Sequence, residues 1–464
     1  FLRHGYINAP NTIFDGIKKV NPGCCVTISQ NFEESEYIFW DPSLEVLKSE
    51  SLGLEDCEKK IEELLIKSIK RTVVSDVPIG SFLSGGIDSS LVTSLMQANS
   101  SDKIKTFSIG VLKNGQIDEA YDESRYAKKI AQYLGTEHYE DFINEKIVLE
   151  NLKKVNSFYD EPFADSSQLP TLSVANLASR YVKVALSGDG ADELFGGYSR
   201  YLHTHENNTL LRLMNRSPNF LKSFISKLIS TTDKGALNKI SNEQSFLPTN
   251  LGGKMEKIGY FLKDNGDDLQ QYYQYTLAET ENSYSILFKD KITSLALEND
   301  FYNFNKHQDL DLKTRIMLMD IATYLPGDIL AKVDRATMAF SLESRTPYLD
   351  RDLANFAISM PIDCKIKNSE TKIILKKILS KYLPRELYDR RKKGFSIPLD
   401  RWLRFELKDW ANELLNSDAL RHDEYLCSDG VKDTYKKFIN YEAKVELSWY
   451  LLSYISWKRD YFDE

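Results

Sequence analysis

Cysteine and histidine are scarce in these 464 residues, with five and six copies. No apolar run approaches the roughly 18 residues that would cross a membrane. The cysteines stand at 24, 25, 57, 364 and 427, odd in number and scattered, and none forms a Cys-x-x-Cys pair. That distribution excludes a disulfide framework or a zinc ribbon and suits reduced thiols. His203 and His205 stand two apart without companion ligands, so a surface pair is the better reading than a metal site. Positive charge is also in deficit, 60 Lys and Arg against 68 Asp and Glu for a net charge of −8. Such a chain has no global attraction to nucleic acid. Residues 1–20 lack the basic head and apolar centre of a secretory signal. The expected setting is cytoplasmic, with neither a membrane nor a nucleic-acid partner, and Asn207-Asn208-Thr209 then has no use as a glycosylation acceptor.

What is present is a glycine loop in a telling position. Ser84-Gly85-Gly86-Ile87-Asp88-Ser89 lies between the apolar run Val77–Leu83 and a helix-like stretch, Ser90–Gln97. It reads as strand, phosphate cradle and helix start, because glycines let the backbone approach a ligand and the unsatisfied N–H groups of a helix start attract anions. Asp88 would repel phosphate, so its natural role is to hold Mg²⁺ against phosphate oxygens. No lysine follows the second glycine, and the Gly-x-Gly-x-x-Gly fingerprint is missing, which excludes the two commonest nucleotide loops. The alternative is an ordinary Gly-Ser turn.

A second loop repeats the pattern. The apolar run Tyr181–Leu186 delivers Ser187-Gly188-Asp189-Gly190-Ala191-Asp192-Glu193, with Asp192 as a second carboxylate for Mg²⁺. In an open parallel sheet, two such loops close on one ligand beyond the carboxyl ends of their strands. Acids at a helix start favoured by the dipole are the competing explanation, and it accounts for Glu193 better than for Asp189.

The first loop resembles the pyrophosphate loop of the ATP pyrophosphatases. Taken with Tyr159-Asp160-Glu161-Pro162-Phe163-Ala164-Asp165-Ser166-Ser167, the Ser187 loop, Leu342-Glu343-Ser344-Arg345-Thr346-Pro347-Tyr348-Leu349-Asp350 and Lys392-Lys393-Gly394-Phe395-Ser396, it resembles the glutamine-dependent asparagine synthetases, with the blocks in the family's order. The resemblance implies a doubly wound parallel α/β sheet of the ATP pyrophosphatase (adenine nucleotide alpha hydrolase-like) type with helical additions. It also implies a carbon–nitrogen ligase that converts L-aspartate and ATP, with Mg²⁺, into a β-aspartyl adenylate and pyrophosphate. Ammonia then yields L-asparagine.

In that resemblance the nucleotide contacts fall on Leu83, Ser84, Gly85, Gly86, Asp88, Ser89, Ile109, Ser187 and Gly188, with Leu83 and Ile109 offering backbone groups to the adenine. Lys392 stands where the family has its C-terminal catalytic lysine, although its run, Arg390-Arg391-Lys392-Lys393, also reads as a solvated basic patch. Asp189 replaces the glutamate many relatives carry, at a position linked to acyl-adenylate formation; a carboxylate there orients a substrate amine or accepts a proton. Asp160, Asp165 and Arg345 are expected at the acid substrate, an Arg being suited to a carboxylate, and Glu343 among the catalytic groups. Glu343 and Arg345 read equally well as a structural pair, as do Asp334 and Arg335. A ligase acting on another carboxylate, by amidation or lactam closure, is one alternative; a nucleotide-binding protein without turnover is another.

Organisation follows. Residues 1–45 alternate short apolar runs with turns, and Gly5–Phe14 resembles the last part of the family's glutaminase domain, a β-rich N-terminal-nucleophile fold. The family's nucleophile is an N-terminal cysteine, with no counterpart here; neither Cys24 nor Cys25 qualifies. Three readings stay open: a piece of a longer chain, which open β edges favour, a separate glutaminase chain, or free ammonia. A homodimer is a further possible assembly. Residues 46–464 form the synthetase domain. Helical period marks Asp56–Arg71, Asp122–Leu134 and Val445–Trp457, and 204–310 reads as a helical excursion whose Tyr272-Tyr273-Gln274-Tyr275 belongs to a core.

Overall fold

A computed structural model describes residues 1–48, 52–113, 115–202, 218–231, 286–289, 309–390 and 397–462. Near the start, β1 (Cys24–Ile28) and β2 (Glu34–Ile38) form an antiparallel hairpin with Cys24 opposite Ile38. These are the only strands among residues 1–45, which otherwise hold turns, irregular chain and the start of a short helix, Pro42–Val46, so β structure in this segment is limited to one hairpin. One backbone bond and one side-chain bond tie the segment down: Ala164 N donates to Gly5 O at 2.7 Å, and Trp40 Nε1 donates to Asn355 Oδ1 at 2.8 Å.

The central sheet uses β3 (Ile79–Phe82), β4 (Lys105–Lys113), β5 (Gln116–Ile117), β6 (Glu137–Ile143), β7 (Val184–Leu186) and β8 (Glu343–Arg345). Its parallel strands lie in the order β6-β4-β3-β7-β8, and β5 folds back antiparallel on the end of β4. In chain order that is third, second, first, fourth, fifth. The direction of winding reverses between β3 and β7, where a crevice opens at the carboxyl ends of the strands. Ser81 pairs with Thr106 on one side and Leu186 on the other. The ends of β3 and β7 are therefore level, and the two glycine loops leave side by side.

Period-2 alternation sends side chains of each strand to opposite faces, and the sheet is covered on both. One face buries Phe107, Ile109 and Val111 of β4 against α4 (Gln168–Ser179) and the C-terminal helices, including Trp402 and Trp449. The other packs Leu83 and Leu186 against α1 (Leu54–Thr72) and α2 (Ile87–Ala98). In α1 the buried stripe Cys57, Ile61, Leu64, Leu65 and Ile69 repeats at helical spacing, with Glu55 and Asp56 in the first turn and Lys70 and Arg71 in the last, as the helix dipole favours. The chain continues through α3 (Ser124–Leu134), closed by Gly135 at φ 73°, and α5 (Ala191–Phe195). Next come α6 (Leu312–Ala322), a six-residue π-helical turn at Leu325–Leu330, α7 (Ala331–Met338) and α8 (Ile373–Leu379).

The terminal helix α9 (Val445–Phe462) buries Leu447, Leu451, Ile455 and Trp457. Trp449 Nε1 donates to Ala164 O at 2.7 Å, fixing α9 beside the cleft. Of the expected helical excursion, Asn219–Thr231 is a helix; most of 204–310, with Tyr272–Tyr275, lies outside the described residues, as do His203, His205 and Asn207–Thr209. No helix among the described residues is long and apolar enough to cross a membrane.

Candidate active site

A cleft of about 510 Å³ occupies the crevice between β3 and β7. Its floor is the first loop, braced internally: Ser84 N donates to Ser89 Oγ at 3.1 Å, and the hydroxyls of Ser84 and Ser89 lie 2.9 Å apart. Gly86 is the N-cap of α2 and makes no side-chain cap bond, which leaves helix N–H groups to a ligand. Gly85 adopts φ +75°, a left-handed conformation that glycine takes without penalty. The second loop lies directly on the first, since a Cβ on Gly188 would come 2.9 Å from Ser89 N and 3.0 Å from Asp88 Cβ.

That contact places Asp88 and Asp192, each in the first turn of its helix, opposite one another. Between them sits Lys372. Its Nζ bonds Asp88 Oδ2 and lies 2.5 Å from Asp192 Oδ1, with only 3% of the side chain exposed. Burial works against this ammonium, but the Asp192 and Asp88 charges override it and hold the lysine protonated well beyond its ordinary range. Lys372 stands at φ 53°, a strained conformation for a non-glycine residue, at the start of α8. A Cβ on Gly197 would fall 2.1 Å from Lys372 Cε, so the chain closes tightly over this bridge.

A second buried pair lies deeper. Lys332 Nζ donates to Asp165 Oδ2 at 2.6 Å, and Ser167 N donates to Asp165 Oδ1 at 2.8 Å. Burial pushes the Asp165 carboxyl up, yet Lys332 more than compensates and holds it at about 2. Asp189 lines the same cleft; burial raises its pKa, the Ser187 hydroxyl and Lys332 oppose that rise, and Asp192 and Asp88 add to it. Leu83 and Ile109 also line it while their side chains stay packed in the core, which leaves backbone groups to meet a ligand. At the mouth, Arg390 Nη1 donates to Glu123 Oε1 at 2.8 Å, and its guanidinium lies 4.1 Å from the centre of the Tyr126 ring.

Three expected residues are not brought to the cleft. Glu343 and Arg345 lie two apart on β8 and so project on the same face, where Arg345 Nε donates to Glu343 Oε1 at 2.7 Å. Arg345 Nη1 also donates to the carbonyls of Thr72 and Val74, each at 2.7 Å, clasping the end of α1. Their roles as catalytic and substrate groups give way to anchorage. Asp160 is corrected likewise. It is 75% exposed and pairs with Arg335 on the surface, because its neighbours Tyr159 and Phe163 stack inward. Arg335 also pairs with Asp334 at 2.5 Å. Lys392 lies outside the described residues.

Two lysines were missed. Lys332 lies two residues before Asp334, which with Arg335 reads in the sequence only as a structural pair, and nothing local singles the lysine out. Lys372 has no local signal, since its partner Asp88 is 284 residues away.

No group of three or more His, Cys, Asp or Glu gathers for a metal ion among the described residues. Two carboxylates converging on one cation are nevertheless the donor set Mg²⁺ uses when phosphate oxygens complete its shell. Asp88 and Asp192 fit that role with a nucleotide present.

Glu193, beside Asp192, is buried and accepts a hydrogen bond from Tyr198 Oη at 2.6 Å. Burial, reinforced by the charge of Asp192, lifts its pKa from 4.5 to about 7. A folded-state pKa above the unfolded one means that its contribution to stability is full below 4.5 and is lost as pH rises through about 7. Glu193→Gln keeps the acceptor for Tyr198 and removes the titration. Urea unfolding at about pH 5 and about pH 8 should show the unmodified chain losing roughly 1–3 kcal/mol relative to the variant over that interval. Parallel curves would show that Glu193 does not titrate there.

The sequence profile of the asparagine synthase family matches residues 60–459. The chain is 30% identical over 430 residues to asparagine synthetase [glutamine-hydrolyzing] 1 of Bacillus subtilis, covering 92% of this chain and 63% of that protein. It is 28% identical over 424 residues to a putative asparagine synthetase [glutamine-hydrolyzing] of Mycobacterium tuberculosis, covering 90% and 60%. A more distant match, 23% identical with 84% and 60% covered, is amidase chry2 of Gibberella zeae. The chain thus spans less than two thirds of the length of these relatives.

Proposed function

The chain belongs to the asparagine synthase family, and we propose that it catalyses ATP-dependent formation of L-asparagine from L-aspartate through a β-aspartyl adenylate. The observation that carries this reading is the pair of glycine loops leaving adjacent parallel strands with Asp88 and Asp192 directed at one cation. The cytoplasm is the proposed setting, the ATP pyrophosphatase type the proposed fold, and residues 1–45 the proposed last part of a glutaminase domain. Ammonia comes from glutamine hydrolysed beyond these residues or from solution.

A carboxylate is a poor acyl donor until one oxygen becomes a leaving group, and AMP is that group. Attack at the α phosphorus spreads negative charge over the phosphates. The N–H groups of the first turn of α2 receive those oxygens, with Ser84, Ser89 and Ser187 as hydroxyl partners. Asp88 and Asp192 would hold Mg²⁺, which supplies charge neutralisation at the pyrophosphate. Lys372 is within reach of the same oxygens, and Lys392 is the proposed second cation. Backbone groups at Leu83 and Ile109 orient the adenine. Asp189, backed by Lys332 and Asp165, faces the space left for the amino acid and orients its amine.

Asp189, one methylene shorter than the glutamate many relatives carry, favours as a second reading a ligase of the same mechanism acting on another carboxylate. One experiment separates them: pyrophosphate and AMP release from ATP with Mg²⁺ and ammonium, with L-aspartate, with other acids and with none. Aspartate-dependent AMP with asparagine of the right mass is the expected result. AMP with a different acid changes the substrate and keeps the mechanism; no AMP with any acid overturns the ligase reading.

A further inference from the structure

A second cavity of about 440 Å³ adjoins the cleft and shares Asp165, Ser166 and Tyr324 with it. Asp328 lines it and is 5% exposed. It belongs to the π-helical turn Leu325–Leu330, a distortion that frequently marks a functional position because the helix gives up regular bonding to aim a side chain. The Asp328 carboxyl faces that of Asp165 within hydrogen-bonding reach. Its Oδ1 has no hydrogen-bond donor among the described residues. Of the other acids lining this cavity, Asp165 is paired with Lys332, Asp320 with Arg200 at 2.8 Å and Asp400 with Arg404 at 2.9 Å, while Glu446 also keeps a buried oxygen, Oε2, without a donor among the described residues. A buried carboxyl oxygen without a donor, beside a second carboxylate, lacks a proton or a small cation.

We propose that this second cavity is an ammonium site and that Asp328 takes the proton the nitrogen must lose before it attacks the activated carboxyl. The inference rests on the amide-ligase reading above. At rest Asp165, held ionised by Lys332, shares one proton with Asp328. Ammonium entering the cavity displaces that proton to solvent and hydrogen-bonds the carboxylate. One N–H bond then breaks, its proton bonds to Asp328 oxygen, and the electron pair stays on nitrogen. Neutral ammonia moves into the cleft past Asp165 and Tyr324. Its lone pair forms the C–N bond, the C–O bond to AMP breaks, AMP keeps the electron pair, and the excess proton on the new amide goes to solvent. Burial raises the Asp328 pKa well above the ordinary carboxylate range and the Asp165 charge raises it further, which suits an acceptor for a proton from so weak an acid.

Hydroxylamine provides the test, because it is largely the free base near neutral pH and needs no such acceptor. In the full chain carrying Asp328→Asn, ammonium-dependent asparagine formation should fall roughly 10²-fold. Hydroxamate formation with hydroxylamine and aspartate-dependent ATP–pyrophosphate exchange should hold within about twofold, and Asp328→Glu should recover part of the ammonium reaction. Equal losses with both nucleophiles, or none with ammonium, overturn the assignment. Absence of aspartate-dependent exchange in the unmodified chain is a different failure and overturns the ligase reading together with this inference. Should Asp328→Asn fail to fold, the unmodified chain carries the test: ammonium chloride should raise its melting temperature more than tetramethylammonium chloride at equal ionic strength, and equal shifts overturn the site.

Discussion

Lys372→Met removes about 2–4 kcal/mol of folding stability and lowers turnover roughly 10²–10³-fold. Deleting one member of a buried ion pair takes that compensation from its partner, here from two carboxylates at once. The stability cost is taken below the full range for a buried pair because Asp88 and Asp192 keep 19% and 21% of their side chains exposed. Methionine fills nearly the same volume, so the loss reports charge and not a cavity. In the variant the Lys372 ammonium no longer stands between the two carboxylates, and Mg²⁺ should take that place. Millimolar Mg²⁺ without nucleotide should therefore raise the melting temperature of Lys372→Met more than that of the unmodified chain. If neither stability nor the Mg²⁺ response changes, the bridge has no energetic weight.

Asp88→Asn acts on the same centre from the other side. Asparagine keeps the size and an acceptor for Lys372, which retains Asp192, so unfolding by urea should shift by less than about 1 kcal/mol. Catalysis should suffer far more, with turnover falling roughly 10²–10³-fold, since one of two proposed metal carboxylates is gone. The Mg²⁺ concentration for half-maximal rate should rise in parallel. Normal turnover at ordinary Mg²⁺ would remove Asp88 from the metal site and leave it as a partner of Lys372 alone.

Features set by local pattern were readable in advance. The apolar runs before each glycine loop are β3 and β7, and the spacing of Ile61, Leu64, Leu65 and Ile69 marks one face of α1. Asp88 and Asp192 were legible as a pair because each follows a strand and a glycine turn. Lys372 was not, because its meaning comes from a contact across 284 residues and its backbone conformation, φ 53°, has no sequence signature in Glu370-Thr371-Lys372. Glu343, Arg345 and Asp160 mislead for the opposite reason: they sit inside family-like blocks, but strand alternation and the inward stacking of Tyr159 and Phe163 turn them away. A block returns to the site as backbone, while each side chain answers to its own neighbours.

The span between Asp88 and Lys372 also bears on how the molecule is made. A ribosome releases the two loops well before it releases residue 372, whose ammonium joins Asp88 and Asp192 in the folded chain. Contacts this distant in sequence form late. Lys372 therefore joins Asp88 and Asp192 only once α8 docks against the β3 and β7 loops, and the cleft is complete only with that helix in place.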